Sequence, residues 1–170
     1  IISPKFITLY EQSEESDWYW NTTSWKWGLQ SYSSFNGNNI STFELIDSLV
    51  SKLANKDLFP QLTDILLTGH SSGAAFVHMY SSTKFDNIYN NTNIHFSVVN
   101  NQYFLHPDST RLLSNGSLSV LENCEVYNKW PYGLDDLSPY MERIGEENSR
   151  NNFFSNKVDY FIAELDTDSG

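Results

Sequence analysis

The chain has 170 residues, 39% of them hydrophobic and 15% aromatic, and a formal net charge of −11. That length and apolar content suit one domain with a core and exclude a disordered chain; ten basic residues against 21 acidic ones argue against nucleic acid or an anionic membrane as partner. No apolar run approaches the ~20 residues of a membrane span, and the single cysteine, Cys124, allows neither an internal disulfide nor a cysteine-based metal site.

Residues 1–9, IISPKFITL, read as a short buried strand broken by Pro4. An acidic surface loop, EQSEESD, follows. WYWNTTSWKWG then places four of the five tryptophans within ten residues, as a packed flap or part of a binding wall. Residues 41–54 carry the clearest helix. Ser41-Thr42-Phe43-Glu44 fits a capping box, in which the serine oxygen and the glutamate carboxylate each satisfy an orphan amide. Ile46, Leu49, Val50 and Leu53 share one face, and the helix should end near Asn55.

Residues 63–68 form a continuous apolar run, expected as a strand buried on both faces of a parallel sheet. Residues 72–82 are helical by composition, and residues 93–100, NIHFSVVN, read as another short buried strand. The Pro-, Tyr- and Trp-rich stretch from Asn123 is irregular to about Leu134, with a short helix after Asp136. NSRNNFFSNK reads as a polar loop and residues 158–162 as a last strand. Strands alternate with helices, without repeat or linker: one α/β domain with a mainly parallel sheet. Four Asn-x-Ser/Thr sequons, at Asn21, Asn39, Asn90 and Asn115, are about what so Asn- and Ser-rich a chain holds by chance, and they do not establish secretion.

Chemistry concentrates in DILLTGHSSGAAFVHMY, where Ser71 sits in Gly69-His70-Ser71-Ser72-Gly73. A serine hydroxyl needs a base to become a nucleophile. A tight strand-to-helix turn would lift its Oγ clear of the sheet, and glycines two residues either side would remove the steric conflict of that turn. The Ser72 amide, at the start of the helix, would face a developing oxyanion, a donor worth roughly 2.7–4 kcal/mol in the transition state. An apolar run before the motif and a helix after it supply the context that such an elbow requires.

Elbow, strand and helix together resemble the α/β-hydrolase fold. Patches along most of the chain are similar to a poorly characterised group of that family: SPKFI, WKWG, LFPQL followed by LLTGHSSGAAFVHMY, VVNNQYFLHPDSTR, CEVYNKWPYGL and VDYFIAELDTD. The group's Asn-Pro-Ser-Ser loop is Asn100-Asn101-Gln102-Tyr103 here. The resemblance implies a serine hydrolase acting on a small-molecule or peptide ester or amide through an acyl-enzyme, with no metal or organic cofactor. It implies the chain order serine, acid, histidine, with Asp166 as the acid; Asp168 lies close to it, and Asp108, after the preceding strand, is a second candidate or a turn residue. It also implies a second oxyanion amide from Phe6 or Ile7. Trp25, Trp27, Tyr103, Trp130 and Tyr132 are candidates for an acyl or leaving-group pocket, or equally for an aromatic core.

The base is the difficulty. All four histidines precede Asp166. His70 is too close in sequence to curl back to Ser71. His78 lies two helical turns on, roughly 10 Å away. His95 begins a strand at the end opposite the elbow, and His106 alone has a suitable edge, in the wrong chain order. The expectation is a partial hydrolase chain whose catalytic histidine lies beyond it, with a catalytically silent binding protein or an acyltransferase or thioesterase as the rivals. Cys124 is expected either as a buried thiol or as a partner for a cysteine elsewhere.

Overall fold

The computed structural model describes residues 1–11, 14, 17–32, 37–83 and 91–164. Asp166, Asp168 and the Asn90 sequon lie outside the described residues. Within them the class is α/β. Three parallel strands, β1 (Asp64–His70), β2 (Asn93–Val99) and β5 (Val158–Phe161), form one sheet in that spatial order. A separate antiparallel hairpin pairs β3 (Thr110–Leu112) with β4 (Leu118–Val120).

Helix α1 (Thr42–Ala54) starts where its cap chemistry places it. The Phe43 amide donates to Ser41 Oγ at 3.0 Å, and the Ser41 amide donates to Glu44 Oε2 at 2.7 Å, so both halves of the capping box are made. Ser41 Oγ also donates to the Gly28 carbonyl, and Thr42 Oγ1 to that of Trp25. These bonds tie α1 to the tryptophan-rich segment, which holds a 3-10 turn at Ser24–Trp27.

Helix α2 (Ser72–Ser81) is the centre of the molecule. Every residue from Ala74 to Ser81 is buried, as expected of a helix enclosed on all sides. It lies across β1 and β2, with the 3-10 turn alongside. Phe43 and Tyr140 pack beyond it, and the Tyr80 and Tyr140 hydroxyls both donate to Asp47, on α1, at 2.6 Å. Burial holds that carboxyl above its ordinary value, against the pull of the two phenols.

Several expectations need correction. Residues 1–9 do not form the expected strand. Pro4 removes a donor, residues 1–5 are exposed, and pairing is limited to a single bridge between Thr8 and Trp20. The stretch NSRNNFFSNK is not a loop: α4 (Glu146–Ser155) runs through it, after a short α3 (Pro139–Ile144). Distant acceptors hold α4, since Arg150 Nε donates to the Pro107 carbonyl, Asn152 Nδ2 to that of Ser82 and Asn156 Nδ2 to that of Ser81. Nor is β1 buried on both faces. Ile65 and Leu67 point toward α2, while Asp64, Leu66, Thr68 and His70 alternate outward and are exposed, because no described helix covers that face. Cys124 is exposed rather than buried.

Candidate active site

At the end of β1 the chain turns abruptly. Ser71 adopts φ 55° and ψ −118°, a region that L-residues other than glycine rarely occupy. The residue is pinned on both sides: its amide donates to the Val99 carbonyl at 3.0 Å, and its own carbonyl accepts from the Ala75 amide at 3.1 Å. The side chain is exposed and its hydroxyl bonds to no described residue. Of the flanking glycines only one meets the expected conflict. A Cβ at Gly69 would overlap the Gly73 carbonyl, whereas a Cβ at Gly73 would meet open space. The turn therefore demands glycine at 69, where helix backbone crosses the strand, and not at 73.

Helix α2 begins at Ser72, so the Ser72 amide has no acceptor within the helix and is oriented at its N-terminal end. The Phe6 ring is packed, stacked on Trp25 at 5.6 Å and set against Phe76 and Trp20. Its amide bonds to no described residue.

None of the four histidines hydrogen-bonds to Ser71. His78 is buried with both ring nitrogens engaged: Nε2 accepts from the Leu105 amide at 2.9 Å, so Nδ1 carries the hydrogen and donates to the Tyr160 hydroxyl at 2.8 Å. Burial, with His106 nearby, holds its pKa down at about 4. His95 pairs with Asp64 at 3.0 Å at the start of the strands, the end opposite the elbow. His70 is exposed at the end of β1. His106 lies in the loop after β2, its amide donating to the Tyr132 carbonyl, and partial burial lowers its pKa. Asp108 accepts from both the amide and the hydroxyl of Thr110, which hold its carboxyl below the ordinary range.

The predicted aromatics divide. Trp25 packs with Phe6 and Phe76 on the first turns of α2. Trp27, Tyr103 and Tyr132 form a separate group, with Trp27 edge-on to Tyr103 at 5.1 Å and Tyr132 6.3 Å from Trp27. Trp130 Nε1 donates to the Trp27 carbonyl at 2.9 Å and fastens the loops together. Arg111 serves as a brace, donating to the carbonyls of Asp108, Tyr127 and Tyr132.

Sequence reasoning passed over Lys26, only 6% exposed, with Nζ 4.6 Å from the Trp27 ring centroid and 4.1 Å from that of Tyr103. The available signal was its position between two tryptophans in Trp25-Lys26-Trp27. Among the described residues no group of three metal-ligating side chains occurs, and no helix is long and apolar enough to cross a membrane. Compared with known proteins, the chain matches no family model, no curated protein and no solved structure at significant similarity.

Proposed function

We propose that this chain is an α/β-hydrolase-type serine hydrolase that cleaves an ester or amide through an acyl-enzyme. The carrying observation is the backbone of Ser71 at φ 55° and ψ −118°, between a parallel strand and a buried helix, with its hydroxyl exposed and unbonded among the described residues. Strain of that kind costs about 1–3 kcal/mol, and such strain clusters at functional sites.

In this reading Ser71 Oγ attacks the scissile carbonyl carbon and passes its proton to a base. The Ser72 amide, with that of Phe6, donates to the resulting oxyanion. Collapse expels the alcohol or amine, and water then releases the acyl group from Ser71. Asp166 orients a histidine supplied from outside residues 1–170, with His106 as the alternative within them and Asp168 or Asp108 as alternative acids. Without the base the rate falls about a millionfold, so this segment alone would work near background. Tyr103, Trp130 and Tyr132 would contribute to the pocket.

A fluorophosphonate probe applied to the intact parent protein should label Ser71, located by peptide mapping, and Ser71→Ala should abolish labelling. An unlabelled, folded parent would overturn the proposal. A second reading, a catalytically silent binding protein on the same scaffold, is favoured by one observation: no histidine here bonds to Ser71. Absent labelling supports it. An acyltransferase or thioesterase role would appear in product analysis with an added acceptor alcohol or a thioester.

A further inference from the structure

Lys26 sits against two aromatic faces, yet its ammonium has no hydrogen-bond acceptor and no carboxylate among the described residues. The fold covers the aliphatic stem while Nζ still reaches solvent, so an ammonium held against ring faces is left with its charge unneutralised by the protein. The chain has 21 acidic residues with which to pair a lysine, and none of the described ones reaches this one. Three segments build the enclosure: the 3-10 turn with Trp27, the loop after β2 with Tyr103, and the loop carrying Tyr132. Trp130 clamps the third to the first.

The placement relates this cage to the elbow. Val99, whose carbonyl holds the Ser71 amide, ends β2, and Tyr103 follows four residues later. The cage and Ser71 therefore lie toward the same end of the parallel strands. An aromatic cage of this kind usually accommodates a cation. Here the protein's own cation fills that place, with its donors unused, so the complementary ligand is an anion. On a molecule of net charge −11, which repels anions at long range, a local ammonium is needed to retain one.

We propose that Lys26 selects for substrates bearing a carboxylate remote from the scissile bond. The assignment to substrate rests on the hydrolase reading above; the anion site itself does not. Monomethyl glutarate and dimethyl glutarate serve as matched probes in the intact parent protein, with binding read from the fluorescence of the tryptophans beside Lys26. The expected result is saturable binding of the monoester at least about tenfold tighter than the diester, lost in Lys26→Met and partly restored in Lys26→Arg.

Lys26→Met keeps an apolar stem of similar length, removes only the solvent-reaching ammonium and should melt about as the parent does. Equal binding of both probes, or undiminished discrimination in Lys26→Met, overturns the proposal. So does a lowered melting temperature in Lys26→Met without loss of discrimination, which would mark the lysine as structural. If discrimination holds but a fluorophosphonate fails to label Ser71, the anion site stands and the hydrolase reading falls. If Ser71 is labelled but the two probes bind alike, the hydrolase reading stands and the anion site falls.

Discussion

His78 on α2 and Asp47 on α1 illustrate opposite uses of burial. His78 needs an unprotonated Nε2 to accept from Leu105, and burial holds its pKa down at about 4, against 6.5 in the unfolded chain. Its contribution to stability is therefore full above the unfolded value and is lost as pH falls toward about 4. The gap corresponds to at most about 3 kcal/mol. Urea melts between pH 7 and 4 should show that decline, and His78→Gln should flatten it while lowering stability at pH 7. Asp47, raised by burial, works in the opposite sense, its contribution fading as pH rises through the folded value. Ser71 is the exposed counterpart. Its positive φ is strained in serine and easy in glycine. Ser71→Gly should be more stable than Ser71→Ala by about 1 kcal/mol, measured by denaturant unfolding, although both remove the hydroxyl.

At the scale of elements, the capping box of α1 is the clearest local device. Ser41→Ala removes the acceptor for the Phe43 amide and the bond to the Gly28 carbonyl, and should cost about 1–2 kcal/mol in a urea melt. Local chemistry also explains what the sequence made legible. α1 was readable because its start signal and apolar face lie within 14 residues, and the elbow because strand, glycine and helix are contiguous. α4 was not, because its support comes from Pro107, Ser81 and Ser82, far away in the chain. The β3–β4 hairpin could have been found from Asn115-Gly116, with Gly116 at φ 82°. The cage around Lys26 joins three separate segments, so no spacing rule reveals it. Residues 1–9 misled because apolar composition suggests a strand, whereas strand formation needs a neighbour to pair with.

Over the whole molecule, the helices of the core lie to one side of the sheet. Parallel sheets are ordinarily covered on both faces, yet Leu66 is 61% exposed and Phe161 56% exposed on the other face. Leu66→Thr should leave the melting temperature almost unchanged, because little area is buried there, and should reduce binding of a hydrophobic dye. An unchanged dye signal would place the exposed apolar surface elsewhere. The order β1-β2-β5 also leaves the strand that delivers Ser71 at a border of the sheet, laddered to β2 alone among the described residues. Successive peptide groups in a strand aim at alternate sides, so about every second amide along residues 64–70 faces away from that ladder. Deuterium from solvent would enter these positions ahead of their neighbours, a two-residue rhythm running up to a serine whose own amide is held by Val99.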